Sequence, residues 1–246
     1  MIKGIYTAAS GMMAETWRTD TIANNLANVS TAGFKRDVTV TKDFHDLVVQ
    51  RISDGQGQPV IGRMGAGVLV DQNYTVQAAG SVRATDNALD LAIEGRGFFA
   101  VQTPAGIRYT RNGAFVENRD GELVTQDGYQ VLGRNGPVQV QGNSVVVTPE
   151  GRVLIDGEER DQIRVVAFAD ERLMAKEGNS LFTSGGQVER PATGTVRQGF
   201  LEMSNVNPVA EMVNLIASYR AYELNAKVVQ THDELLDKAV NEVAKV

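Results

Sequence analysis

The feature that most limits how this chain can fold is an unbroken helical pattern at its C-terminal end. Asn207-Pro208 is typical of a helix start, since Asn caps the first turn and Pro tolerates the first helical position. From there to Val246 the sequence has no glycine and no further proline. A helix over residues 208–245 would be about 57 Å long, longer than the core of a compact protein of this size. We therefore expect it to lie along a second helix.

An apolar stripe at helical spacing runs along this C-terminal segment, and only one of its ten members is charged. The stripe consists of Met212, Leu215, Tyr219, Tyr222, Ala226, Val229, Asp233, Leu236, Val240 and Val243.

The partner that the chain offers is the N-terminal segment, residues 1–28. Its small and apolar residues form two heptad columns: Ile2, Ala9, Thr16 and Ala23 in one, and Ile5, Met12, Thr19 and Leu26 in the other. This stripe is too thin to hold a helix alone, so we expect the two terminal helices to pair as a coiled coil. Asn24, Asn25 and Asn28 either fix the register of that pair or simply end and cap the helix.

The middle of the chain changes to a β pattern. From residue 95 to 157, turn signals recur every six to nine residues, among them Asn112-Gly113, Asp120-Gly121, Asp127-Gly128 and Asn135-Gly136. The β-prone segments between or near these turns are Phe98–Gln102, Gln130–Leu132, Ser144–Thr148, Arg152–Ile155 and Ile163–Phe168. This pattern predicts a β-meander domain.

Residues 37–88 are read as a connecting segment. We expect a short helix around Phe44, Leu47 and Val48, then a Gly-rich loop from Gly55 to Gly67. A strand should follow, with Val68, Val70, Tyr74 and Val76 on one face.

The predicted fold class is mainly β: a central β-meander domain with long N- and C-terminal helices. The predicted division is 1–36 for the N-terminal helix, 37–88 for the connecting segment with short helix and strands, 89–200 for the β-rich outer domain, and 201–246 for the C-terminal helix.

Composition excludes several classes of function. The chain has 246 residues and no cysteine, which excludes disulfide scaffolds, thiol catalysis and cysteine-bound metals. A net charge of −6 argues against a nucleic-acid binder. The N-terminus lacks the apolar core of a cleaved signal peptide, and no stretch is apolar enough to span a membrane.

Two motifs suggest ligand sites and are better explained as turns. Gly95-Arg96-Gly97-Phe98-Phe99-Ala100 fits a dinucleotide fingerprint, but no helix is predicted after it, so we expect a tight turn that packs Phe98 and Phe99 inward. Asn118, Asp120 and Glu122 lack the ligand spacing of a calcium loop. His45 and His232 fall on different predicted elements. We therefore predict no catalytic, cofactor or metal residue, and no enzyme.

Three blocks of sequence carry a family resemblance. The N-terminal block consists of Ile5–Met12 and Asn24–Arg36. The central block consists of Leu89–Phe99 and Tyr109–Gly113. The C-terminal block consists of Leu201–Asn207, Glu211–Val213 and Arg220–Glu223. In these blocks the chain resembles the axial proteins of the bacterial flagellum, and in particular the rod proteins of its basal body.

The resemblance implies a structural subunit that is exported without cleavage by the flagellar type III apparatus. Such a subunit assembles with itself and with other rod and hook proteins into a hollow periplasmic rod, without nucleic acid, cofactor or small-molecule substrate. Residues 131–138 and the modest length favour the proximal rod type, whereas Gly11-Met12 and residues 220–225 are similar to the distal type. The alternative from another class is a secreted β-rich binding module with a helical stalk.

The implied assembly interface follows the terminal helices and the segments beside them. Its predicted residues are Ile5, Met12, Ala23, Asn24, Asn25, Leu26, Asn28, Gly33, Phe34, Asn205, Asn207, Met212, Leu215, Tyr219, Tyr222, Ala226, Val229 and Leu236.

Overall fold

The computed structural model describes residues 2–44, 46–50, 60–178 and 180–241. The chain forms two compact units, each built from separate stretches of sequence. The helical unit contains residues 1–26, 37–74 and 208–246, and the β unit contains residues 27–36 and 75–207. The chain therefore enters the β unit after the first helix, leaves it, and enters it again before the last helix.

The described residues of the helical unit form two helices and four strands. They are α1 (Ile2–Ala27), β1 (Asp37–Asp43), β2 (Asp46–Gln50), β3 (Val60–Gly65), β4 (Val68–Thr75) and α2 (Pro208–Asn241). The predicted helix start at Asn207-Pro208 is confirmed, and α2 is about 51 Å long over its 34 residues. The predicted continuation to residue 245 and the stripe member Val243 lie outside the described residues.

The connecting segment differs from its prediction in one element. The expected helix around Phe44, Leu47 and Val48 is wrong, because residues 46–50 form β2, which pairs antiparallel with β3. Adjacent Leu47, Val48 and Val49 suit a strand better than a helix. Part of the expected Gly-rich loop lies outside the described residues, and β3 occupies its second half. In β4, Val68, Val70 and Tyr74 are half-buried while Leu69 and Asp71 are exposed, which confirms the predicted strand face for these residues. Val76, also predicted on this face, follows the end of the strand at Thr75.

The β unit is built from short strands and one short 3₁₀ helix, Glu171–Leu173. The strands are β5 (Val82–Ala84), β6 (Leu91–Glu94), β7 (Phe98–Thr103), β8 (Gly106–Thr110), β9 (Phe115–Glu117), β10 (Leu123–Thr125), β11 (Gln130–Val131), β12 (Val145–Val147), β13 (Arg152–Ile155), β14 (Glu158–Gln162), β15 (Val165–Ala167), β16 (Ala175–Glu177), β17 (Leu181–Thr183), β18 (Arg190–Pro191), β19 (Thr195–Gln198) and β20 (Phe200–Glu202).

Strand β7 organises the β unit because it is buried on both faces. It pairs with β8 along one edge and with β11 and β15 along the other. Side chains of a strand alternate between the two faces. Phe99 and Val101 accordingly lie in one hydrophobic core with Phe115, whereas Phe98 and Ala100 lie in a second one. In the first core, Phe99 and Phe115 make an edge-to-face contact with ring centroids 5.1 Å apart.

The prediction of a β-meander is correct only for two groups of three strands. Strands β9–β10–β11 and β12–β13–β14 follow one another in sequence, but β7 also pairs with β15 and β8 pairs with β17. All five predicted β-prone segments contain strands. Gly97 has φ of +154° between β6 and β7, and no helix follows it, so the predicted turn is confirmed. Phe98 and Phe99 are both buried, on opposite faces of the strand.

The chain is thus mainly β, with one helix at each end. Neither of its described helices is long and apolar enough to cross a bilayer.

Candidate assembly surface

Helices α1 and α2 contact each other through small and polar side chains. A Cβ atom at Gly4 would lie 2.6 Å from His232 Nε2, and one at Gly11 would lie 3.1 Å from Asn225 Nδ2. Thr19 Oγ1 is 3.1 Å from Ser218 Oγ. Residue numbers rise on one helix as they fall on the other, so the two helices run antiparallel. On α2 the three contact residues are spaced by one heptad.

These described contacts are polar, and the predicted coiled-coil pairing is not confirmed. Ser218 is 1% exposed and donates a hydrogen bond of 2.6 Å to the Glu15 carboxylate. Thr19 is the one member of the two predicted heptad columns that takes part in these described contacts. Glycine permits close approach of the helices, and long side chains cannot occupy the same space. Leu215, Val229 and Leu236, which lie three or four residues from these contact residues, are half-buried. Val213, Ile216 and Leu224 of α2 are exposed instead.

Helix α1 is also attached to the strands of its own unit. Asn25 is 1% exposed; its amide nitrogen donates to Asp37 O (2.8 Å) and its oxygen accepts from Asp37 N (2.9 Å). Asn25 thus pairs with the first residue of β1 as a neighbouring strand would, a role that the sequence analysis did not consider. Further along α1, Ser10 Oγ accepts from the backbone N–H of Val68 at 3.2 Å.

A second stripe on α1 lines an open apolar groove against β4. The groove has a volume of about 1130 Å³. Its large apolar residues are Tyr6, Met13, Trp17, Phe44 and Leu69, which are 70%, 66%, 54%, 62% and 44% exposed. The sequence analysis missed this stripe, although Tyr6, Met13 and Trp17 follow the helical spacing that reveals such faces. We call it the α1–β4 groove.

Helix α2 exposes a comparable surface over its first half. We call it the α2 apolar face; its members are Val209, Met212, Val213, Ile216, Tyr219 and Leu224, which are 45–64% exposed. Monomeric proteins rarely expose contiguous apolar patches of more than a few hundred square ångströms, and larger ones mark interaction sites.

The predicted interface residues fall into three groups. Exposed residues are Ala23, Asn24, Asn207, Met212, Tyr219 and Tyr222. Half-buried residues are Ile5, Met12, Leu26, Asn205, Leu215, Ala226, Val229 and Leu236. Buried residues are Asn25, Asn28, Gly33 and Phe34. Their membership of an assembly interface stays a prediction.

Three buried charged residues of the β unit, Lys35, Arg111 and Glu202, form a cluster. Lys35 Nζ is 2.6 Å from Glu202 Oε1, and Arg111 lies 3.4 Å from Oε2. Lys35 and Glu202 are 1% and 2% exposed, and Glu202 also accepts from Gly80 N at 2.9 Å. Burial lowers the pKa of Lys35 and that of Arg111, and the Glu202 carboxylate opposes both shifts.

This cluster connects the segment that follows α1 with the segment that precedes α2. Lys35 follows α1, and Glu202 precedes α2. Gly33 N also donates to Glu202 O (2.7 Å), and Asn205 Oδ1 accepts from Arg36 N (2.8 Å). The sequence analysis named Gly33 and Asn205 but gave Lys35 and Glu202 no role, because nothing local marks a buried pair 167 residues apart.

Comparison with known proteins gives matches along the whole chain. Three family models match: "Flagella basal body rod protein" over residues 5–35, "Flagellar hook protein FlgE/F/G D1 domain" over 92–155, and "Flagellar basal body rod FlgEFG protein C-terminal" over 197–242. The flagellar basal-body rod protein FlgG of Borreliella burgdorferi is 36% identical, covering 98% of both chains. The chain belongs to the flagellar basal-body rod protein family.

Other relatives agree with this assignment. FlgG of Bacillus subtilis is 35% identical over 98% of this chain and 99% of its own. The flagellar hook-basal body complex protein FlhO of the same organism is 30% identical over 100% of both. The chain is therefore a structural subunit of the flagellar basal-body rod, and its family is structural rather than enzymatic. The alternative of a β-rich binding module gains no support from these relatives.

Proposed function

We propose that this chain is a rod subunit of the distal type, which polymerises through the outward apolar surfaces of its terminal helices. The observation that carries the proposal is the α2 apolar face, whose side chains are 45–64% exposed in the single chain. A neighbouring subunit would cover that surface during assembly.

The choice of the distal type follows from the relatives. Several relatives with about 35% identity over the full chain bear the name FlgG, which is a distal rod protein. This favours the type that the sequence analysis ranked second over the proximal type. Residues 131–138, which favoured the proximal type, belong to the β unit.

Export and location follow from the same role. A rod subunit crosses the inner membrane through the flagellar type III apparatus, needs no cleaved signal peptide, and is added to a rod that crosses the periplasm. We expect its partners to be further copies of itself and other axial proteins, and not nucleic acid, a cofactor or a small-molecule substrate. The terminal helices would complete a coiled-coil layer in the polymer, where apolar side chains from several subunits meet.

We expect the predicted interface residues to act in two ways, according to their burial. Met212, Tyr219 and Tyr222 are exposed and suited to direct contact with a neighbour. Asn25, Gly33, Phe34 and Asn205 make contacts inside the chain, so we expect them to act on assembly by holding the segments beside the helices.

The experiment that tests the function is localisation in purified basal bodies. A short epitope inserted at the Asp127-Gly128 turn would be tolerated, because nothing lies within 4 Å of a Cβ at Gly128. Labelling should place the tagged chain along the rod, at its hook-proximal end for the distal type. Absence of a functional tagged chain from the basal body would contradict the proposal, and labelling at the opposite end of the rod would restore the proximal type.

A further inference from the structure

Two different apolar surfaces on the helical unit are left uncovered within one chain. The α1–β4 groove and the α2 apolar face cannot cover each other in the same molecule, because α2 contacts α1 through its opposite side, with Ser218 and Asn225. Resting on the proposed function, we propose that the α1–β4 groove of one subunit receives the α2 apolar face of a second copy of this chain.

The two surfaces match in length. The groove follows α1 from Lys3 to Trp17, a span of about 21 Å at about 1.5 Å per residue. The α2 apolar face extends from Val209 to Leu224, about 22 Å on the same basis. Beyond Leu224 this side of α2 carries Lys227 and Glu234, although Val228 and Leu235 are also exposed. The two surfaces are therefore similar in length when the α2 apolar face is taken over residues 209–224.

The area of the two surfaces is sufficient for a stable contact. With about 200 Å² for a fully exposed large side chain, the exposed fractions above give roughly 600 Å² of apolar area for the groove and roughly 700 Å² for the α2 apolar face. The total of roughly 1,300 Å² lies near the lower end of the range for specific protein–protein interfaces. The groove offers three aromatic residues, Tyr6, Trp17 and Phe44, and aromatic side chains are enriched at the centres of such interfaces.

A contact between these two surfaces also explains why assembly gives a filament. An interface between two different surfaces of one chain is heterologous, so every added subunit presents a fresh groove and a fresh α2 apolar face. Such contacts produce an open helical filament when the rotation between copies does not close a ring. A rod is an assembly of this kind, whereas groove-to-groove pairing would stop at a dimer.

Cysteine cross-linking tests the contact, because the natural chain has no cysteine. Met13→Cys and Ile216→Cys are introduced into two differently tagged full-length copies that are produced together, and basal bodies are treated with a short bis-maleimide. We expect a product that contains both tags, at least tenfold more abundant than with either variant alone. Val188→Cys, which is 82% exposed on the β unit, replaces Ile216→Cys in the matched control.

Two outcomes would overturn the inference while leaving the proposed function intact. In the first, basal bodies contain both variants but no cross-linked product carries both tags. In the second, two Met13→Cys chains are cross-linked to each other. If either variant fails to incorporate, Trp17→Cys with Met212→Cys provides the same test. If the wild-type chain is absent from basal bodies, the function itself is wrong and the inference falls with it.

Discussion

Neutralising Glu202 should destabilise the β unit more than any surface change of the same kind. Glu202→Gln preserves the shape of the side chain and its bond from Gly80 N, but leaves Lys35 and Arg111 as unpaired buried cations. Removing one partner of a buried pair costs about 3–5 kcal/mol, out of a total of about 5–15 kcal/mol for a typical domain. At roughly 3 °C per kcal/mol, the unfolding midpoint should fall by roughly 10–15 °C.

The assay is thermal and urea unfolding of the purified chain, with Glu159→Gln as the matched control. Glu159 pairs with Arg152 at 3.2 Å, but both side chains are half exposed, at 52% and 54%. Its loss should cost less than about 1 kcal/mol. Adding Lys35→Met to Glu202→Gln should recover part of the loss, since it removes one unpaired charge. Equal midpoints for the two Gln variants would refute the reasoning.

Two further predictions concern the helix contact and the pH dependence. Gly11→Leu should separate α1 from α2, because the leucine side chain would collide with Asn225, and the helical circular dichroism signal should fall. Thr16→Leu, at an exposed position on α1, is the control and should leave this signal unchanged. Equal effects of the two variants would argue against the contact. Burial and the bond to Glu189 raise the pKa of Tyr109 to about 12 from 10, so the folded chain keeps a proton that the unfolded chain loses. The free energy of unfolding should therefore fall as pH rises from 10 to 12. Tyr109→Phe should remove this pH dependence and also the highest-pH step of the tyrosinate absorbance titration. If that step is unchanged in the variant, it belongs to another tyrosine and the prediction is wrong.

Local signals were enough to predict part of the fold. The start of α2 follows from Asn207-Pro208, and the strand segments follow from the spacing of Asn-Gly and Asp-Gly turns, because capping and turn geometry depend on a few adjacent residues. The short helix expected around Phe44, Leu47 and Val48 was wrong because the apolar run Leu47–Val49 is too short to show a helical or a strand period, and pairing with β3 decides its structure.

The contacts between the terminal helices depend on residues that are distant in sequence. Gly4 and Gly11 are contact points because His232 and Asn225 lie opposite them, and a glycine on a helix gives no apolar signal. Lys and Glu are mostly exposed in proteins, so a buried Lys35–Glu202 pair cannot be read from one sequence. The interface list therefore combined exposed residues such as Tyr219 with residues such as Asn25 that are committed to the chain's own fold.

The measurement that tests the central claim most directly is the incorporation of Ile216→Asp into basal bodies, compared with Val188→Asp. Both positions are exposed in the single chain, at 54% and 82%, so both variants should fold and be exported. Polymerisation through the α2 apolar face requires Ile216 to be buried by a neighbour, where a carboxylate without a partner is costly. We predict that Ile216→Asp is lost from purified rods while Val188→Asp is retained. Equal incorporation of the two variants would contradict assembly through this face.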